Sequence, residues 1–246
     1  MPNLGLGTSL SSSGLVTPGI VTDSLVLKHN YAAGSVVPVS DGAAYFDGTD
    51  DYIDCGHDAT LDVGTSDFTA CCWFKLVDDG NSHDIISKGT SLDTGYGWAV
   101  SFLDSTSLMY FDCGDNSTRV ALTSSITISF NKWYHVAVTR NNAGNLSEIY
   151  INGVLDVTTA NALDDLGDGS QSIPFEIGSS TANRYLNGYI CNVGYWSTAL
   201  TQAQIKSIMW KNYAGLTSSE TTGLVSWWNL SADANDNHGS NDGTLT

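Results

Sequence analysis

Apolar and polar residues alternate with a period of two along most of the chain after residue 23. In the stretch 67–76, Phe68 and Cys72 fall on one face of a strand, whereas Trp73 and Lys75 fall on the other. Successive side chains of a strand point to opposite faces, so this pattern predicts a strand with one buried face. The same reasoning predicts strands over 24–28, 43–46, 51–54, 84–87, 97–102, 108–111, 119–122, 133–139, 147–151, 154–157, 175–178, 188–196 and 223–230.

Two local motifs add detail to this pattern. Asn152 and Gly153 stand between two of the alternating runs, and this dipeptide favours a tight hairpin because both turn positions need a positive φ. Apolar residues recur at helical spacing over 201–210, where Thr201 and Gln204 match a capping box. The sequence therefore predicts one short helix near 201–210 among many strands.

Many short strands in a chain of 246 residues favour an all-β fold with two packed antiparallel sheets. Sandwiches of about 200–250 residues are often single domains. Residues 1–23 contain Gly, Ser, Thr and Leu without a period, which predicts an N-terminal extended arm before one domain over 24–246. The arm is either a loose terminus or a segment that orders on a neighbouring subunit.

Aspartate dominates the charged residues. There are 26 Asp and Glu against 9 Lys and Arg, which gives a net charge of −17, and only Glu148, Glu176 and Glu220 are glutamates. Aspartate favours turns because it hydrogen-bonds nearby backbone. So acidic a surface repels phosphate groups, and we expect neither nucleic-acid binding nor membrane association. No apolar run is long enough to span a bilayer, and the first residues lack the basic and apolar regions of a secretory signal peptide.

The cysteine count is odd, and no pair has zinc-knuckle or redox spacing. We expect buried thiols in a reducing compartment, with one disulfide as the alternative. The cysteines are Cys55, Cys71, Cys72, Cys113 and Cys191.

Candidate catalytic groups are sparse. Sugar hydrolysis needs two carboxyl groups about 5–9.5 Å apart, and none of the three glutamates is near another in sequence. A pair of aspartates is the alternative. There is no Gly-x-Ser-x-Gly motif, and the histidines show no metal-ligand spacing. We therefore expect a protein that is not an enzyme.

An Asp- and Asn-rich loop over 233–242 concentrates hard oxygen ligands, which suit calcium. Asp233 and Asp236 are the candidate metal ligands in this loop. A second acidic loop lies at 164–168. The alternative for each loop is a solvated turn.

An ordered set of segments resembles the laminin-G-like, concanavalin A-like jelly-roll family. The segments include FDGTDDYI at 46–53, KWYHVAVT at 132–139, IYING at 149–153 and WSTALT at 196–201. The resemblance implies a two-sheet antiparallel jelly-roll β-sandwich, a carbohydrate-binding or adhesive role, and one structural calcium at the rim. The family's acidic pair corresponds to Cys191 and Asn192 here, so Asn192 joins the candidate calcium ligands.

The segments 223–230 and 237–245 resemble the elements that usually open such a domain, although here they close it. The chain is therefore a permuted version of the fold, or it ends in the stub of a second repeat.

Residues 20–53 also resemble jelly-roll proteins of marine bacteriophages, which implies a virion surface location. The first hypothesis is thus a non-enzymatic phage structural protein, in capsid decoration or on the head or tail surface. It would self-assemble, bind other virion subunits and bind host glycans. The alternatives are a secreted carbohydrate-binding or adhesion module of a larger bacterial protein, and a glycosidase.

Overall fold

The period-two alternation folds into two antiparallel sheets of seven strands each. The computed structural model describes residues 40, 42–89, 95–163, 165–167 and 172–246. The arm predicted over 1–23 and the strand predicted over 24–28 lie outside these residues and stay predictions. The predicted all-β jelly-roll sandwich with one helix is confirmed.

Each strand belongs to one of two sheets, here named sheet A and sheet B. Sheet A contains β1 (Ala44–Asp47), β3 (Phe68–Leu76), β8 (Tyr134–Asn141), β9 (Leu146–Ile151), β10 (Val154–Ala160), β12 (Asn187–Trp196) and β13 (Leu224–Trp228). Its order is β1-β12-β3-β8-β9-β10, with β13 also paired to β12. Sheet B contains β2 (Ile53–Asp54), β4 (His83–Gly89), β5 (Gly97–Leu103), β6 (Leu108–Gly114), β7 (Arg119–Thr127), β11 (Glu176–Ile177) and β14 (Thr244–Leu245). Its order is β14-β2-β11-β4-β5-β6-β7.

Strand β12 carries a bulge in its middle. The pairing with β3 shifts between Cys191 and Gly194, and Asn192 in this interval has φ +51°. Asparagine tolerates this left-handed conformation better than most residues. On one side of the bulge β12 pairs with β1, and on the other side it pairs with β13.

The core lies between the sheets and is rich in aromatic rings. Phe68 of sheet A stacks on Trp98 of sheet B with 5.0 Å between ring centroids, and Phe175 lies 5.1 Å from Trp228. The buried Tyr195 hydroxyl donates a hydrogen bond to the Leu61 carbonyl at 3.3 Å. Offset and edge-on ring pairs of this kind add to the free energy gained by apolar burial.

The predicted helix is confirmed as α1 (Gln202–Ile208). Thr201 and Gln204 form the capping box, since the Gln204 side chain accepts from the Thr201 N–H at 2.9 Å. Ile205 and Ile208 pack on the outer face of sheet A. Within the described residues, no helix is both long and apolar enough to cross a bilayer.

The predicted hairpin is confirmed as well. Asn152 and Gly153 connect β9 to β10 with φ values of 51° and 74°. A Cβ atom on Gly153 would lie 2.6 Å from the Met209 sulfur, so glycine is needed for space as well as for φ. The turn therefore lies directly against the end of α1.

The C-terminal segment completes the same sandwich. β13 pairs with β12 in sheet A, and β14 pairs with β2 in sheet B. Trp228 belongs to the main core. This placement supports the permuted fold and not the stub of a second repeat, because both strands extend the two existing sheets.

All five cysteines are free and buried, as expected. Burial raises the pKa of the Cys71 thiol to about 12 and that of Cys191 to about 11. These thiols are therefore neutral at physiological pH and act as small apolar groups.

Candidate functional site

The outer face of sheet A is divided into a covered half and an open half. Helix α1 covers Cys71, Ala137 and Tyr150. Beyond the helix, the face continues with aromatic side chains that remain accessible to solvent. Tyr45 is 56% exposed, and Trp133 is 41% exposed. Large apolar side chains at this exposure mark a candidate interaction surface.

A groove of about 530 Å³ lies on this open half. We call it the aromatic groove, and its lining residues are Ser40, Gly42, Ala43, Trp73, Trp133, Cys191 and Trp210. The volume falls within the range of about 300–1,000 Å³ that is usual for small-ligand sites.

Strand alternation and the end of the helix build the groove together. Trp73 on β3 lies opposite Cys191 on β12, and both point outward. Trp210 follows α1, and its ring lies 5.3 Å from that of Trp73. The Trp73 indole N–H donates to the Met209 carbonyl at 2.6 Å and thereby fixes the end of the helix beside the groove. Trp210 itself is 58% exposed, so its ring is available to a ligand.

On the side of Trp133, the groove continues into a row of aromatic rings. The Trp133 ring lies 6.3 Å from that of Tyr189, and Tyr189 lies 5.0 Å from Tyr45. Lys75 lies between these rings, with its ammonium 4.2 Å from the Tyr189 centroid and 5.5 Å from the Trp133 centroid. Both distances are within reach of a cation–π interaction.

The base of the groove is uncharged. Burial lowers the pKa of His135 to about 3, so its imidazole is neutral, and its ring lies 5.5 Å from that of Trp73 in an edge-on contact. The raised pKa of Cys191 keeps its thiol protonated. The groove therefore has aromatic walls above a neutral base.

The predicted calcium ligand Asp236 organises its own loop. Its Oδ1 accepts hydrogen bonds from the backbone N–H groups of Trp227, His238 and Gly239 at 2.9–3.0 Å, and its Oδ2 accepts from Asn241 at 3.1 Å. Burial works to raise the pKa of Asp236, but these N–H donors outweigh it and lower the pKa. A carboxylate in this position stabilises the loop without a metal.

The other two predicted ligands also have local partners. The Asp233 carboxylate accepts from the Asn235 backbone and side chain at 3.2 and 2.9 Å. Asn192 is 2% exposed, and its side-chain N–H donates to the Lys211 carbonyl at 3.3 Å. Calcium binding by Asp233, Asp236 and Asn192 stays a prediction.

A different acidic group was missed by sequence reasoning. Among the described residues, Asp47, Asp50 and Asp51 form a trio with carboxylate oxygens within 4.8 Å of one another. Asp47 accepts from the Thr49 N–H at 2.8 Å, and Asp51 accepts from the Asp47 N–H at 3.1 Å. The sequence signal was the presence of three aspartates within five residues. These aspartates were interpreted as turn residues only.

Sheet B places two carboxyl groups side by side that are remote in sequence. Glu176 on β11 lies directly opposite Asp54 on β2. Glu176 is 8% exposed, and its buried Oε2 has no hydrogen-bond partner among the residues that the structure describes. Burial first, and then the charges of Asp54 and Asp84, raise the pKa of Glu176 to about 7. Glu176 belongs to sheet B and is almost fully buried, whereas the aromatic groove is open and lies on the outer face of sheet A.

Comparison with known proteins assigns the family. The sequence profile of the concanavalin A-like lectin/glucanase superfamily matches residues 47–206. The chain belongs to this superfamily. Among curated proteins, no relative matches the chain.

Solved structures with the same fold include three of different origin. A putative carbohydrate-binding protein from Bacteroides ovatus is 22% identical with a TM-score of 0.64; the match covers 83% of this chain and 57% of that one. A SAP-like pentraxin from Limulus polyphemus is 17% identical with a TM-score of 0.53, covering 71% and 84%. The CBM40 module of a Ruminococcus gnavus sialidase, bound to α2,3-sialyllactose, is 11% identical with a TM-score of 0.54, covering 68% and 96%. At these identities the likeness shows the fold.

We expect Asp236→Ala to lower the free energy of unfolding by about 3 kcal/mol, because four backbone N–H groups lose a charged acceptor. Urea unfolding measures the change. Asp233→Ala is the matched control, and we expect it to cost less than about 1 kcal/mol because its carboxylate is bonded to Asn235 alone among the described residues. Equal losses in the two variants would contradict this role of Asp236. The same two variants test the calcium prediction when melting temperatures are compared with and without calcium. If these residues bind calcium, the ion raises the melting temperature of the wild type and not that of the variants.

We expect Glu176→Gln to stabilise the fold at pH 8 by about 2 kcal/mol. The folded-state pKa of about 7 is above the ordinary value of 4.5, so ionised Glu176 destabilises the fold at high pH. As the pH falls from 8 to 5, the folded state takes up a proton and the wild type gains stability. The advantage of the glutamine variant therefore shrinks over this range in urea unfolding. A constant difference between pH 8 and pH 5 would contradict the raised pKa.

Proposed function

We propose that the chain is a non-catalytic carbohydrate-binding module whose ligand site is the aromatic groove. The observation that carries this proposal is the open groove of about 530 Å³ with the half-exposed Trp133 and Trp210 on its walls. A pyranose ring has a face of C–H groups that packs on an indole ring, while its hydroxyl groups remain hydrated. The site thus suits a short stretch of sugar rings.

The family and the fold relatives support this proposal. The superfamily takes its name from lectins and glucanases. One fold relative is described as a carbohydrate-binding protein, and another is a module bound to sialyllactose. Among the relatives with this fold, sugar binding recurs at low sequence identity.

The chemistry of the groove favours binding without hydrolysis. None of the described residues that line it has a carboxyl group, whereas glycosidases need two. Two of the three glutamates have other partners: Glu220 pairs with Lys211 at 2.6 Å, and Glu148 accepts from the Tyr150 hydroxyl at 2.6 Å. The third, Glu176, is almost fully buried. We therefore propose that the groove holds sugars and leaves the glycosidic bond intact.

We expect Trp133→Ala and Trp210→Ala each to weaken glycan binding at least about 10-fold, because each variant removes an exposed ring from a wall. A glycan array identifies the ligand, and isothermal titration calorimetry measures the affinities. Val154→Ala is the control, since Val154 is 51% exposed on β10, outside the groove. Unchanged melting temperatures show that the fold is intact. Wild-type affinity in both tryptophan variants would refute the site.

The setting of the module is the second part of the proposal. We propose a virion surface, where the arm over 1–23 binds neighbouring subunits and the sandwich presents the groove. The composition of the arm supports this, because a loose linker does not need apolar anchors. These anchors are Leu4, Leu6, Leu10, Leu15, Val16, Ile20 and Val21. Many copies on one particle raise the effective concentration, so each glycan contact can be weak.

We expect deletion of residues 1–23 to abolish loading onto particles while leaving the glycan affinity of the isolated protein within about twofold of wild type. Quantitative electrophoresis of purified particles measures loading, and calorimetry measures the affinity. Equal loading of the two proteins would contradict the role of the arm. Recovery of the chain as part of a secreted bacterial protein would favour the alternative setting.

A further inference from the structure

We propose that the aromatic groove selects anionic glycans, and that Lys75 is the residue that recognises the carboxylate or sulfate group. This inference rests on the proposed function, since it names the class of sugar that the same groove takes. Four points carry it: the position of Lys75, the lack of a carboxylate partner for it in the described chain, the lack of acids in its row and in the next row towards the groove, and the chemistry of the ammonium group.

The position of Lys75 is fixed by the rings beside it. Lys75 lies opposite Tyr189 in the register of β3 and β12, and Trp133 lies on its other side. Its ammonium is 4.2 Å from the Tyr189 centroid. The methylene stem of a lysine packs on apolar surface while its charged end stays accessible. The ammonium is therefore held next to Trp133, a wall of the groove.

Lys75 is one of the described cations without a carboxylate partner, and the exposed Lys132 and Lys206 are others. In the described part of the chain, Lys88, Arg119, Arg184 and Lys211 each have a carboxylate partner at 2.6–3.5 Å. Lys75 has no carboxylate within 4.0 Å among the residues that the structure describes, although the chain has 26 acids and a net charge of −17. A carboxylate at this position is therefore left for a ligand to supply.

Among the described residues, the row of Lys75 and the next row towards the groove contain no acid. Its row across sheet A contains Tyr45, Tyr189 and Trp133, and the adjacent row contains Cys191, Trp73 and His135. The imidazole and the thiol in that second row are neutral. An acid appears on this face one row further along β1, at Asp47, two strands away from β3. An anionic group that approaches Lys75 from the groove thus meets no like charge in these two rows, while the row of Asp47 borders the row of Lys75 on the side away from the groove.

The chemistry of the group favours an anionic sugar over a neutral one. An ammonium has three N–H donors, and a carboxylate or sulfate oxygen accepts a charge-assisted hydrogen bond that is about twice as strong as a neutral one. Partial desolvation by the two rings strengthens the attraction further. A neutral hydroxyl accepts from the same ammonium but adds no attraction between opposite full charges, so Lys75 favours the anionic member of a pair of related sugars.

The test compares matched sugars of which one member carries an anionic group and the other is neutral. The carboxylate pair is oligogalacturonate and its methyl ester, and the sulfate pair is lactose 3′-sulfate and lactose. Calorimetry measures each affinity for the wild type, for Lys75→Gln, which keeps the stem and removes the charge, and for Lys75→Arg, which keeps the charge. Lys206→Gln is the matched control, because Lys206 is an exposed lysine of α1.

We expect the wild type to bind the anionic member of at least one pair about 10-fold more tightly than the neutral member. In Lys75→Gln this preference falls to about onefold, because the affinity for the anionic member falls more than the affinity for the neutral member. Lys75→Arg and Lys206→Gln keep the preference. The difference between the wild type and Lys75→Gln shrinks as sodium chloride is raised, since salt screens the charge. The pair that responds identifies the group as carboxylate or sulfate.

Two results overturn the inference in different ways. If the wild type binds neutral and anionic members equally, or if Lys75→Gln keeps the preference, the inference is wrong. The proposed function then stands on the losses in Trp133→Ala and Trp210→Ala. If the wild type binds no member of either pair and no glycan on the array, the proposed function fails together with the inference.

Discussion

Strand β12 is the element on which both faces of sheet A depend, because it is hydrogen-bonded to β1, β13 and β3. A strand has a strict period of two, so a long strand that changes partner must keep its apolar residues on the core side. The bulge at Asn192 achieves this. Ile190 before it and Tyr195 after it both point into the core, although they are five positions apart. In a regular strand, residues separated by an odd number of positions point to opposite faces. The left-handed φ of Asn192 is thus a structural requirement.

The same bulge sets the boundary of the aromatic groove. Before it, β12 pairs with the short strand β1, and the outward Tyr189 and Cys191 remain beside open space. After it, β12 pairs with β13, and the outward Trp196 is buried under α1 and its neighbours. The helix leaves the first half uncovered, because α1 ends at Ile208 and the Met209 carbonyl that follows accepts from the Trp73 indole N–H. The site is therefore the part of the face that α1 leaves uncovered.

Alternation and turn chemistry make most of this fold predictable from the sequence, whereas pairing across the sheets does not follow from them. The helix at 201–210 and the hairpin at Asn152 carry local signatures, so both were predicted. Strand β14 has only two residues, which is too short for a pattern of alternating apolar and polar residues. It forms through its pairing with β2. The alternation along β3 places Trp73 and Lys75 on one face. Their contacts with Trp133 and Trp210 depend on the register of β3 with β8 and on the position at which α1 ends. The pairing of Glu176 with Asp54 was missed for the same reason.

Aspartates and aromatic residues occupy different parts of the fold because turns and strands favour different side chains. Many aspartates lie in turns or at strand ends because their carboxylates accept nearby backbone N–H groups, as Asp47 does from Thr49, Asp58 from Thr60 and Asp115 from Ser117. The open half of sheet A is instead built from aromatic residues, which favour strands and pack on their neighbours across the sheet. Much of the negative charge thereby lies in the turns, and the described residues in the row of Lys75 and in the next row towards the groove include no acid. At physiological ionic strength the Debye length is about 8 Å, so distant aspartates are screened while a group in direct contact is not. A strongly acidic protein can therefore hold an anion at this one face, because the attraction acts at contact and most of the repulsion acts from farther away.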